Sequence, residues 1–281
     1  MANPIIGRPD AFTRHSTPQQ TYPQGYGQQQ APGQDPYQQQ FPQQQGPTYN
    51  PYQQPASTGA VMTLDDVIAK TAITLGVVAA AAVLAFLFIP VQLLTPALIG
   101  SGIVGLVTVF LVAGRAKLPI GGVLFYAVVE GIFVGAFSKF FELMWPGIVV
   151  NAVLATFVTA AATLAAYKFF NIRVTDKFRK VVTIATMSLA GVLLVNFVLF
   201  LFGVNTPIRE VGSGAGWLAI GISVVAVLLA VLNLITDFDS VERGIAAQAP
   251  AQESWRAAFG ITITMVWLYT EILRILSYFR D

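Results

Sequence analysis

The sequence predicts an all-α integral membrane protein, a bundle of about seven transmembrane helices behind a disordered N-terminal tail. Three observations predict it. Hydrophobic residues make up 55% of the chain and charged residues only 11%, where a soluble domain carries about 25% charged residues. No residue from Thr71 to Gly114 is charged, a run well beyond the roughly 20 residues that one span needs. Residues 1–60, by contrast, hold fifteen Gln and ten of the sixteen Pro.

The domain boundary therefore falls at residue 60, with a Gln/Pro-rich tail at 1–60 and a transmembrane domain at 61–281. Such a tail buries too little apolar area to offset the entropy of ordering it. It reads either as an entropic arm or as a partner-binding segment, and the sequence names no partner for it. The start of the chain lacks an apolar stretch behind a basic region. The first hydrophobic run is therefore expected to stay in the protein as its first span.

Thr63, with Asp66 three residues on, resembles a capping box. It is read as an interfacial turn feeding a first span over 71–90. Pro90 and Pro96 break the long uncharged run, so the second span is placed at 95–114. Arg115 and Lys117 follow, and Pro119 opens a third span reaching about 138. Pro146 opens the fourth, to about 167. A loop with Lys168, Arg173, Lys177, Arg179 and Lys180 against Asp176 separates it from a fifth span over 181–203. Pro207, Arg209 and Glu210 mark a short loop before the sixth, at 215–237. A polar loop with Asp239, Glu242, Arg243 and Arg256 leads to the seventh, at 257–278. Outside the tail the prolines are 90, 96, 119, 146, 207 and 250, none inside a span. Proline costs about 3 kcal/mol within a helix and is tolerated in its first turn, so this signal supports the hydropathy cuts.

Lys and Arg concentrate in alternate loops, which makes the N-terminus cytoplasmic; a bacterial plasma membrane is the expected location. Seven full crossings place Asp281 outside, and a semi-spanning last segment would return it inside. There is no cysteine, and the single histidine, His15, lies in the tail. Disulfides, thiolate metal sites and imidazole chemistry inside the membrane are thereby excluded. No nucleic-acid partner is expected.

An ionised side chain at the bilayer centre costs at least ~2.5–3.5 kcal/mol on insertion scales, so each such residue needs a reason. Glu271 lies inside the seventh span, with Arg274 three residues on and on the same face. It is either half of a local ion pair or a proton- or cation-binding carboxylate facing a cavity. Asp237 and Asp239 close the sixth span and point in nearly opposite directions. Only one can face the bundle interior, and Asp237 lies deeper. Glu130 sits in mid-span beside Gly131 and Gly135, a small-residue face that permits close helix approach. It is either a protonated, hydrogen-bonded structural residue or a functional acid. Asn151, Asn196 and Asn233 read as interhelical hydrogen-bonding residues.

Asp237-Phe-Asp-Ser-Val-Glu-Arg-Gly244, Leu268-Tyr-Thr-Glu271 with Ile272-Leu-Arg-Ile-Leu276, and Tyr126 through Gly135 together resemble the Bax inhibitor (transmembrane Bax inhibitor motif) family over residues 60–281. The resemblance implies a seven-helix bundle with the last helix near its centre, acting as a pH-sensitive calcium leak channel. It further implies that acids of the sixth and seventh helices share a proton and that an arginine latches the pore. Carried over by motif, the acids are Asp237 and Glu271 and the arginine is Arg115. Glu271 stands where the family has an aspartate, and Asp239 is an additional acid that can compete for Arg115.

Two carboxylates in hydrogen-bonding reach cannot both ionise cheaply and titrate as a unit. Calcium prefers oxygen ligands and would compete with the proton, so Asp237 and Glu271 form a candidate weak calcium site with backbone carbonyls. Calcium enters as permeant ion, and no cofactor is expected. The chain is not expected to be an enzyme: an intramembrane aspartyl protease would show a Tyr-Asp pair and a Gly-x-Gly-Asp run, and neither is present. A proton-coupled transporter and a non-conducting scaffold recruiting partners through its tail remain as alternatives.

Overall fold

The computed structural model describes residues 60–115, 118–170, 172–204 and 206–280. The tail predicted at 1–60 lies outside the described residues apart from Ala60, and so does Lys117. Seven helices are long and apolar enough to cross a membrane. They are α1 (Leu64–Phe88), α2 (Leu94–Ala113), α3 (Ile120–Met144), α4 (Ile148–Phe169), α5 (Asp176–Leu201), α6 (Trp217–Ala246) and α7 (Glu253–Ser277). No strand occurs among the described residues; one antiparallel bridge pairs Val61 with Pro250.

Every helix break except that between α4 and α5 falls at a predicted proline, but five helices, α1, α3, α5, α6 and α7, outrun the hydropathy cuts by four residues or more. Thr63 caps α1 directly, its Oγ1 accepting from the Asp66 N–H at 3.2 Å. There is no separate interfacial turn: Asp66 turns to Lys70 at 2.6 Å, and Lys70 also donates to the Ala251 carbonyl. Helix α3 continues past residue 138 because Lys139 reaches back to the Ile89 carbonyl at 2.7 Å, satisfying the C-terminal end of α1. Helix α6 runs nine residues beyond 237, so Asp237 and Asp239 lie inside a helix and not at its end. The cut failed there because charge ends a hydrophobic run without ending a helix. Asp239 is paired with Arg179 and Arg243, which removes most of the penalty.

Helix α7 is the central element. In its most apolar stretch 83% of residues are buried, against 6% for α5. It packs against α6, α1, α4 and α3. At 25 residues it spans about 37 Å, enough to cross the ~30 Å hydrocarbon core. It is therefore long enough for a complete crossing, and residue 280 lies at the opposite end of the bundle from the α6–α7 loop. Helix α3 packs most extensively on α1, and its glycines explain how. A Cβ at Gly131 would stand 2.5 Å from the Ala81 Cβ and 2.6 Å from the Val78 carbonyl oxygen. Gly135 meets Ala82 and Ala85 in the same way.

Candidate functional site

The polar residues of the bundle gather at three levels along α7. At mid-depth, Asp237 of α6 is 1% exposed. It accepts a hydrogen bond from Thr264 Oγ1 at 2.7 Å. Thr264 has one hydroxyl proton and also stands 3.2 Å from the Gly260 carbonyl. The shorter contact, in the range of charge-assisted O–H···O⁻ bonds, assigns that proton to Asp237. One turn away on α6, Asn233 donates to Thr186 of α5 at 2.8 Å, so the interhelical reading of Asn233 holds. Asn196 instead bonds Thr206 in the loop after its helix, and Asn151 lies exposed on α4.

Two turns further along α7, Glu271 is also 1% exposed. Arg209, from the short turn at Pro207–Arg209, clamps it with both terminal nitrogens, at 2.6 and 3.2 Å. Arg274 Nε stands 3.9 Å from the same carboxylate. The Arg274 guanidinium donates to the Arg209 carbonyl at 3.1 Å and lies over the Phe137 ring at 5.7 Å. The local ion-pair reading of Glu271 thus describes the geometry, with Arg209 as the main partner and Arg274 as the second. Sequence reasoning missed Arg209 because 62 residues separate it from Glu271 and no helical spacing relates them.

The structure does not bring Asp237 and Glu271 together. Thr264, which holds Asp237, precedes Glu271 by seven residues, or about 10 Å along the helix. Both Glu271 oxygens are committed to Arg209. On α7 the Thr264 hydroxyl faces Asp237, and the Glu271 oxygens turn to Arg209, so these two carboxylates are not hydrogen-bonded to each other. No cluster of three or more His, Cys, Asp or Glu able to hold a metal occurs among the described residues. Arg115 is exposed, and its carbonyl accepts from Arg256 at 3.3 Å; it contacts neither acid. Asp239 faces away from Asp237 as its spacing requires, and it bonds Arg179 at 2.6 Å rather than Arg115. Nearby, Tyr167 of α4 donates to Glu242 at 2.8 Å, so this end of the bundle ties α4, α5 and α6 together.

Glu130 occupies the third position, on α3. Its Oε2 lies 3.1 Å from where a Cβ on Gly105 would stand, so the missing side chain on α2 makes the room it fills. Glu130, Arg209, Glu271 and Arg274 all line one cavity of about 900 Å³ between α2, α3, α5 and α7.

No curated protein matches the chain. Among known families, the one described as Bax inhibitor 1 like matches over residues 3–281. That match covers nearly the whole chain, the seven spans surround a central α7, and a buried acid of α6 meets that helix: the chain belongs to the Bax inhibitor 1 like family.

Proposed function

We propose that this protein is a pH-sensitive calcium leak channel in which Asp237 is the proton-responsive group. The observation that carries this reading is the Asp237–Thr264 contact: an acid 1% exposed, at membrane depth, hydrogen-bonded to the central helix through the Thr264 hydroxyl. A buried acid at that depth is costly and is a functional residue by default. The contact also joins the two helices that a gating motion would separate. Protonation removes the charge that strengthens the Thr264 bond, which loosens α6 from α7. The calcium-preferring chemistry is that of carboxylate and carbonyl oxygens. Glu271 is neutralised by Arg209 in this arrangement, so the response rests on one acid and not on a proton-sharing pair. The N-terminus is cytoplasmic, in a bacterial plasma membrane, in keeping with the basic α4–α5 loop.

Calcium flux into vesicles carrying the purified protein, read between pH 8 and pH 6, tests the proposal. Asp237→Asn should conduct at a rate that no longer changes with pH, while Glu271→Gln should keep the pH dependence if it folds. A flux in Asp237→Asn that tracks pH as the wild type does would refute the assignment. An absence of flux from all three proteins would refute the channel.

A further inference from the structure

The cavity of about 900 Å³ is of the size of a small-ligand site. It exists because α5 stands off from the bundle. Helix α5 packs chiefly on α6, and its only buried residues, Val182 and Thr186, lie in its first half. Its second half faces α2, α3 and α7 across a gap walled by Leu98, Leu106, Phe133, Leu193, Phe197 and Val266. Helices α2 and α5 both carry exposed apolar side chains, among them Val107, Phe110, Val192 and Val195. An apolar gap bordered by lipid-facing helices is a place for hydrocarbon, because water there would lack polar partners.

One end of the cavity is different. Arg209, Glu271 and Arg274 line it at the last turns of α7. Arg274 comes three residues before the helix ends at Ser277, which sets it near headgroup depth. It is 7% exposed: Nη1 donates to the Arg209 carbonyl and Nε is fully buried beside Glu271, which leaves Nη2 as the guanidinium nitrogen that is neither enclosed nor hydrogen-bonded among the described residues. The carboxylates at this end are already engaged. Glu271 takes both Arg209 nitrogens, and Glu210 accepts from the Gly216 N–H at the start of α6 at 3.0 Å. Glu130 belongs to the deeper level, beside Tyr126. The unspent hydrogen-bonding capacity facing the void is therefore cationic and sits above an apolar slot.

We propose that this cavity holds an anionic membrane lipid, one acyl chain lying between α2 and α5 and an acidic headgroup oxygen accepting from Arg274 Nη2. The slot supplies chain burial, which is indifferent to headgroup, and the arginine supplies headgroup choice, which is not. The site is separate from Asp237 and Thr264 and does not depend on what the protein conducts.

Native mass spectrometry of the full chain, released from vesicles of equal parts phosphatidylglycerol and phosphatidylcholine, reads the site. One retained phospholipid per chain is expected, with phosphatidylglycerol favoured severalfold. Ala190→Phe pushes a ring from α5 into the cavity and should abolish retention, while circular dichroism confirms an intact helical fold. Arg274→Gln should keep a retained lipid but lose the headgroup preference. Inorganic phosphate alone, added at millimolar concentration, should not displace the lipid. Equal retention of the two lipids by the wild type, or undiminished retention in Ala190→Phe, overturns the proposal. Loss of the preference to inorganic phosphate alone shows a free-anion site and overturns it too.

Discussion

Glu271 and Asp237 are both buried acids on the α6–α7 axis, but they are balanced by different means, and substitution should separate them. Among the described residues Glu271 is the only carboxylate holding Arg209 and the only one near Arg274 Nε. Glu271→Gln strands two guanidinium groups in a site that water hardly reaches. Breaking a buried pair by removing one partner costs about 3–5 kcal/mol, so thermal unfolding in detergent should fall markedly. Replacing Glu271 and Arg209 together by Met should recover part of that loss, since one unpaired charge is removed while Arg274 still lacks its carboxylate. Asp237 is tied to α7 by the Thr264 hydroxyl. Thr264→Val keeps the shape and removes the donor. It should destabilise by about 1–3 kcal/mol, while Thr264→Ser should retain most of the stability, again read by thermal unfolding. These contrasts mark what a sequence can convey about a site. Burial of Asp237 and Glu271, and the half-burial of Glu130, was legible from charges placed where charge is expensive. Their partners were not. Arg209 and Thr264 are an ordinary loop arginine and an ordinary helix threonine until the fold sets them against an acid.

Among the helices, α7 is at once the least apolar span and the most buried, with a mean hydropathy of 1.4 in its window against 2.0–2.8 for the others. Lipid solvates apolar side chains as well as a protein core does, so the helix that most needs shielding is the one with most polar groups. The spans themselves were legible because hydropathy and proline placement report the same breaks. The true extents of α1, α3, α5, α6 and α7 were not, because each continues through charges that find partners within the fold. The contact of α1 with α3 was half legible: Gly131 and Gly135 announced a close approach without naming the neighbour. Gly131→Ala tests it. The added methyl meets Ala81 and the Val78 carbonyl inside 3 Å, and overpacking of that kind costs about 1–3 kcal/mol. Gly191→Ala, on α5 with nothing within 4 Å of the added carbon, should leave the melting temperature unchanged or raise it slightly. Equal effects from the two substitutions would mean that α1 and α3 are not in close contact.

The whole molecule has two unlike ends. One gathers Arg179, Asp239, Arg243, Asp176, Tyr167 and Glu242, together with Lys70 and Arg256 near the α6–α7 loop. The other has the α5–α6 turn, with Arg209 and Glu210, and the end of α7. The topology proposed above puts the first end in the cytoplasm, following the charge bias. An odd number of complete crossings would then put residues 60 and 280 on opposite sides, and α7 is long enough for that. The absence of cysteine makes this directly measurable. Lys177→Cys in the exposed start of α5 should resist a membrane-impermeant maleimide in intact cells and react once the membrane is opened. Ser213→Cys, exposed in the α5–α6 loop, should react in both conditions. The same pair orients the lipid site, because Arg274 lies at the Ser213 end: labelling of Ser213→Cys from outside would mean that its lipid is drawn from the outer leaflet. Protection of both cysteines, or labelling of both, would break the alternation of loops on which the inside and outside of every residue named here depends.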